Sequence, residues 1–208
     1  MNGTTARAWI RELQRLIEEN KDYLTSLDSA IGDADHGVNM SRGFAAVVAA
    51  LDTAEDTPYG VLWTTGNTLV STVGGASGPL YGSAFRRAAK ALEDDKVVTP
   101  ERFAVALADY LGAIQKLGAA ALGDKTIVDA LSPASDAFSA AVAEGAGMEA
   151  AARRALAAAE AGAEATIPLQ ARKGRASYLG PRSVGHQDPG ATSTVLVFRA
   201  LVTAVAGG

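Results

Sequence analysis

Apolar residues recur every three or four positions through most of this chain, in alanine-rich stretches, and strand-like alternation is nearly absent. That spacing gathers them on one face of a helix, so the hydrophobic surface must be buried by packing helices against one another. The fold class read from the pattern is all-α. Trp9, Leu13, Leu16 and Ile17 share a face of a first helix, expected to start near Thr4 or Thr5 and to run into the mid-twenties. A second is expected from Val38 to Leu51. Thr57–Pro58 and Thr99–Pro100 each offer a capping hydroxyl followed by a proline suited to the first helical position. They open helices that end near Gly74–Gly75 and Leu117, and Pro79 opens another that frays in "EDDK". Two more, at 125–144 and 147–166, are divided by "EGAG", and "ATSTVLVFRALVTAV" closes a set of eight. No internal repeat and no long linker divides the 208 residues, so residues 1–208 are expected to form one domain.

Charge and cysteine content narrow the function classes. A net charge of −4 and a pI near 5.2 leave no basic stripe for neutralising nucleic-acid phosphates, so no nucleic-acid partner is expected. Without cysteine there can be no disulfide, thiolate metal site or thiol nucleophile, which suits a reducing compartment. The start "MNGTTARAWIRELQRL" is charged within its first turns, and no apolar run is expected to approach a spanning length of about 18 residues. The expectation is a soluble, cytoplasmic protein without a membrane partner.

Chemistry concentrates in the loops. "IGDADHGVNM" at 31–40, with Asp28 just ahead of it, packs three aspartates, a histidine and two glycines into a short span. Asp33 and Asp35 alternate along an extended turn, so both can point the same way, and Asp28 can fold back towards them. Three converging carboxylates call for a hard cation, Mg²⁺ or Ca²⁺, rather than zinc. Mg²⁺ takes one or two protein carboxylates per ion and fills the rest with water and phosphate, so three aspartates suggest a pair of ions held with a polyphosphate. "VGGASGPL" offers a backbone that a phosphate can approach closely, with the Ser77 hydroxyl at a helix entrance. It lacks the lysine of a Walker A motif, so metal would have to neutralise the phosphates. His36 and Asn39 flank the acids, and a ring N–H of His36 could reach a phosphate. The longest irregular stretch, residues 170–190, carries Arg172, Lys173, Arg175 and Arg182 and reads as a lid or binding loop, with guanidinium groups able to grip phosphate.

Together "LDSAIGDADHGVNMSRGF", "VGGASGPLYGSAF", "LGDKTIVDAL" and "GRASYLGPRSVGHQDPGATS" resemble, in the same order and over nearly the whole chain, the nucleotide-binding L subunit family of dihydroxyacetone kinase. The resemblance implies an eight-helix antiparallel barrel holding ADP or ATP at one end. It assigns Asp28, Asp33 and Asp35 to two Mg²⁺ ions. His36 and Asn39, with the Gly75–Leu80 turn around Ser77, would bind phosphates. Gly118 and Ile127 would line the adenine and ribose region, and Arg175 with the turn Asp188, Pro189 and Gly190 would complete the site. Ile127 stands where the family commonly has Met, a change that keeps the wall apolar.

In that family a separate K subunit carries the ketone sugar, so the chain is expected to be a phosphotransferase that works only with such a partner and needs no nucleophile of its own. A phosphoenolpyruvate/phosphotransferase-linked system is implied, in which a phospho-histidine M subunit recharges bound ADP. The loops alone leave open whether ADP stays or ATP exchanges, which short ketose accepts the phosphate, and whether the chain is a homodimer. Two other readings share the motifs: an ADP-binding regulatory module acting on a transcription regulator, and the related fatty-acid kinase domain, which "GHQDPG" and "GDADHG" fit less well.

Overall fold

The computed structural model describes residues 1–207, and among them it is helical throughout, with no strand. The helices are α1 (Gly3–Glu19), α2 (Lys21–Ile31), α3 (His36–Leu51), α4 (Pro58–Thr72), α5 (Ser77–Ala91), α6 (Pro100–Gly118), α7 (Ile127–Ala143), α8 (Met148–Ala165) and α9 (Pro189–Ala206), with a 3₁₀ helix at Arg175–Ser183 between the last two.

The expected count of eight becomes nine because the first helix breaks. Asn20 leaves helical geometry, and both its backbone N–H and its side-chain amide donate to the carbonyl of Leu16, closing α1 and letting α2 start at a new angle. Asparagine favours such ends because its amide competes for backbone partners. A second correction concerns α5, which opens at Ser77 rather than Pro79. The proline still lies in the first turn, where its missing N–H leaves no hydrogen bond unmade. The stretch 170–190 is also not structureless, since the 3₁₀ helix occupies its middle. Finally, α9 does reach a spanning length: 18 residues of mean hydropathy 1.4, two-thirds buried inside the protein, which is what a core helix looks like.

Each helix from α3 to α9 packs against its chain neighbours, and α9 returns to α1, which lies against α3 and α4. The order closes a ring whose eighth wall is the broken pair α1 and α2. A hydrogen bond from the Trp9 indole to the Val197 carbonyl (2.9 Å) ties α1 to α9. The Trp9 ring meets Phe85 and Phe103 at centroid distances of 6.0 and 5.8 Å, so α1, α5 and α6 share one aromatic centre. Neighbours run antiparallel: α2, α4 and α6 end where α3, α5 and α7 begin. Four helix starts, those of α3, α5, α7 and α9, therefore crowd onto one end of the ring.

Candidate functional site

At that end lies a cavity of about 380 Å³. The connection between α2 and α3 forms one wall and brings the three aspartates together, so that one oxygen from each of Asp28, Asp33 and Asp35 lies within 4.8 Å of the others. Asp28 projects from the last turn of α2. Its Oδ2 accepts the backbone N–H groups of Asp35 (2.8 Å) and His36 (3.1 Å), so it also satisfies the first donors of α3, which has no side-chain cap of its own. Glycine is required at 32, because a Cβ there would overlap the Asp28 carboxylate. Ala34, between the other two acids, has φ of 62°, a left-handed conformation that costs a non-glycine residue about 1–2 kcal/mol. The strain sits at the turn that aims both carboxylates. An all-oxygen donor set of this kind fits a hard divalent cation.

The facing wall is the start of α5. Gly75 takes φ of 68° and leaves open space on its side-chain face, and α5 has no side-chain cap, so its first N–H groups point at the cavity unshared with any side chain. An uncapped helix start of this kind attracts anions. Between the two walls stands His36, with Nδ1 3.1 Å from Ser77 Oγ and Nε2 2.9 Å from Ser193 Oγ. Burial pushes its imidazole down to about 4, against the upward pull of Asp28, so the ring is neutral at physiological pH.

Leu80, Ile114, Gly118 and Ile127 give the cavity an apolar side. The opposite rim comes from the 3₁₀ segment, where Arg175 Nη2 sits 2.8 Å from Asp33 Oδ2. The start of α9 supplies Asp188, Pro189 and Gly190 as the floor. Asp188 is buried, and its carboxylate accepts the Ala191 N–H at 2.7 Å as the cap of α9. Burial, opposed by that hydrogen bond and reinforced by Asp129, pushes its carboxyl up to about 7.

Of the fourteen residues that the resemblance assigns to the site, thirteen line this cavity, as does Lys173 of the loop cations, whereas Arg172 and Arg182 do not. The fourteenth, Asn39, does not. It is buried one turn behind His36, accepts from Arg42 at 2.8 Å, and stands behind Gly74, a wall residue, rather than in the opening.

Sequence reasoning missed the residues that hold the walls together. Lys125 is buried, has φ of 62°, and donates to the carbonyls of Thr166 (2.6 Å) and His186, fastening the start of α7 to both ends of the 166–188 segment. Burial lowers its ammonium pKa, with Asp188 and Asp129 acting in the other direction. Asp129 completes a capping box with Thr126 and also takes the Gly123 N–H at 2.6 Å. Thr166 Oγ1 accepts the Asp188 N–H at 2.9 Å. The signal for Lys125 and Asp129 was present in "GDKTIVD", where a charged residue directly precedes a Thr-x-x-Asp cap.

Comparison with known proteins agrees with this geometry. A family model described as the DAK2 domain matches residues 30–203. The chain is 43% identical over 197 residues, 94% of each protein, to the PEP-dependent dihydroxyacetone kinase, ADP-binding subunit DhaL of Escherichia coli. It is 40% identical to the corresponding subunit of kinase 1 of Listeria innocua, over 95% of this chain and 94% of that one. Among solved structures, the dihydroxyacetone kinase from C. freundii in complex with AMP-PNP and Mg²⁺ superimposes with a TM-score of 0.70 at 26% identity. The match covers 95% of this chain and 33% of that longer one.

Proposed function

The chain belongs to the DAK2-domain family, and from that premise we propose that it is the nucleotide-holding subunit of a phosphoenolpyruvate-linked dihydroxyacetone kinase. The observation that carries the reading is the convergence of Asp28, Asp33 and Asp35, the uncapped start of α5 and Arg175 on one cavity. Carboxylates and anion donors on facing walls suit a ligand that is itself a polyanion carried with cations.

In this reading ADP or ATP lies with its base against Leu80, Ile114, Gly118 and Ile127 and its phosphates between the aspartates and the start of α5. Asp28, Asp33 and Asp35 would hold two magnesium ions, which when bound neutralise the phosphate oxygens and the charge that builds on the transferred group. The chain's own residues position and shield. Ser77 and the N–H groups beside it donate to phosphate oxygens, Arg175 adds a guanidinium from the rim, and His36, neutral and buried, can donate a hydrogen bond without adding charge. Asn39 acts one layer back, by fixing Arg42 and backing Gly74. No side chain here is needed as a nucleophile, because phosphoryl transfer to a hydroxyl requires alignment and charge stabilisation. The acceptor would be dihydroxyacetone held on a separate K subunit docked over the cavity mouth, and a phospho-histidine M subunit would recharge ADP in place.

The relatives' names support this reading, since those quoted are ADP-binding subunits of PEP-dependent kinases. Native mass spectrometry of the purified protein tests it. Retained ADP with magnesium is expected. An empty site that binds ATP and turns it over with a K subunit would favour the exchanging mode, and an absence of any nucleotide affinity would defeat the proposal.

A further inference from the structure

A chain of hydroxyl groups runs behind His36, away from the cavity. Ser193 Oγ lies 2.9 Å from His36 Nε2 and 2.8 Å from the Tyr81 hydroxyl. The Tyr81 hydroxyl also lies 3.1 Å from Thr194 Oγ1, and the Gly190 carbonyl lies within 3.3 Å of all three hydroxyls. All of these side chains are buried. Each hydroxyl has one proton to give, so the shortest contacts, taken in turn, give the network a direction.

The Gly190 carbonyl lies in the first turn of α9, so one of its lone pairs takes the helical N–H four residues on. The other is nearest the Thr194 hydroxyl, at 2.9 Å, which spends its proton there. Tyr81 donates to Ser193, its shortest contact. With the carbonyl taken and the Tyr81 proton directed at Ser193, the Ser193 proton goes to His36 Nε2; the reverse relay, in which Ser193 donates to Tyr81 and Tyr81 to Thr194, is the arrangement that the opposite tautomer would require. Burial keeps the Tyr81 phenol protonated, raising it to about 12 against the opposing effect of the neighbouring Ser193 and Thr194 hydroxyls, so it serves as a donor at every physiological pH. With Nε2 accepting, the ring proton must sit on Nδ1 and point at Ser77 Oγ, 3.1 Å away. Ser77 already accepts from the ring, so its own proton is free to turn into the cavity.

We propose that Tyr81 and Ser193 are positioning residues that lock His36 in its Nδ1–H tautomer and so present the Ser77 hydroxyl proton to an anionic oxygen in the cavity. The opposite tautomer would draw the Ser77 proton back onto Nδ1 and leave only lone pairs facing the phosphate. The inference deepens the nucleotide reading of the site and rests on it for the identity of the anion.

The test is the ¹⁵N–¹H correlation spectrum of the ligand-free protein, in which protonated and unprotonated ring nitrogens are well separated. The chain has only two histidines, and the other, His186, is exposed, so assignment needs one substitution, His186→Gln. His36 should show a protonated Nδ1 and an accepting Nε2, and an Nε2–H tautomer would overturn the proposal without touching the nucleotide reading. Ser193→Ala should mix the tautomers and weaken Mg·ADP binding about tenfold, one hydrogen bond to a charged group. Ser77→Ala should cost the same, and the double variant no more than either single one. Additive losses would mean that Ser193 acts apart from Ser77 and would also overturn the proposal. Failure of the wild-type protein to bind Mg·ADP would instead defeat the nucleotide reading while leaving the tautomer result to stand.

Discussion

The Arg175 guanidinium lies 2.8 Å from the Asp33 carboxylate, so without ligand a cation from the 3₁₀ segment already sits on the acidic loop. With side-chain exposures of 70% and 38%, the pair is largely solvated, and such pairs stabilise a fold by no more than about 1 kcal/mol. In the proposed function it would serve as a placeholder that a metal ion displaces, freeing Arg175 for phosphate. Arg175→Gln should leave ligand-free stability within about 1 kcal/mol of wild type. It should weaken Mg·ADP binding tenfold to a hundredfold, roughly the 1.5–3 kcal/mol of a charge-assisted contact. Calorimetry reads both. Lysine should recover only part, because it lacks the planar fork.

The same pair separates two carboxylates that look equivalent in sequence. Asp33→Asn and Asp35→Asn should each abolish metal-dependent ADP binding, since polyphosphate beside unneutralised acids is repelled. Their effects without ligand should differ. Asp35→Asn relieves repulsion among oxygens within 4.8 Å of one another and should raise Tm slightly, whereas Asp33→Asn gives up its Arg175 partner and should gain nothing. Circular dichroism against temperature distinguishes them, and wild-type ADP affinity in either variant would sink the metal assignment.

Lys125, just ahead of α7, binds two carbonyls of the 166–188 segment, next to the Arg172 N–H on the Asp124 carbonyl. Lys125→Met keeps the volume but leaves the His186 carbonyl without this donor and the Thr166 carbonyl with only the Leu169 N–H, at a cost of about 1–3 kcal/mol in urea unfolding. Because His186 and Thr166 flank the turn that ends in Asp188, ADP affinity should fall with it. A stable variant with normal affinity would show that the anchor does not hold the floor of the cavity.

Asp188 gives the ligand-free protein an unusual pH dependence. Its carboxyl is pushed up from an ordinary 3.8 to about 7 by burial, so between those values the folded state keeps a proton that the unfolded chain has lost. Stability from this group is full below about 4 and is lost as pH rises through about 7. Asp188→Asn keeps a cap for α9 but removes the titration, so the variant should gain on wild type as pH climbs from 4 to 7. Parallel Tm curves across that range would show that Asp188 ionises normally.

What the sequence made legible follows from the range of the interactions involved. Helix starts are local events, and Thr57 and Thr99 cap where their hydroxyl stands three residues ahead of a free N–H. The acidic loop was legible for the same reason, since its three aspartates lie within eight residues. Asn39 stands apart from the cavity lining because a helix start brings residues i and i+3 to similar faces, and only the depth of α3 in the ring puts His36 on the cavity wall and Asn39 behind Gly74. Ser193 and Tyr81 were invisible for a different reason: their partners lie 112 and 157 residues away, and nothing local marks them.

Ligand should stabilise the whole end of the ring, and the 3₁₀ segment gives the most direct readout. Binding to the folded state alone adds RT ln(1 + [L]/Kd), about 4 kcal/mol at a thousandfold excess over Kd. Residues 170–190 are ordered without ligand, through burial of Ala171, Ala176 and Ser183 and the Ser183 hydroxyl on the Ala171 N–H at 2.9 Å, so nicking requires local opening rather than attack on a loose loop. Arg172 and Arg175 are exposed and present trypsin with its preferred side chains at the cavity rim. In EDTA the segment is held to the acidic loop by the solvated Arg175–Asp33 pair and a small apolar contact of Ala171 and Ala176 with Ile31, so opening costs little and cleavage should be rapid. With Mg²⁺ and ADP the segment closes over a ligand held by several helix starts, and if opening must release that ligand, cleavage should slow by up to about a thousandfold, the same 4 kcal/mol read as a population. Chelator added afterwards should restore the fast rate. Equal rates in the two conditions would detach Arg175 and the 3₁₀ segment from the nucleotide site, even if ADP binds elsewhere on the ring.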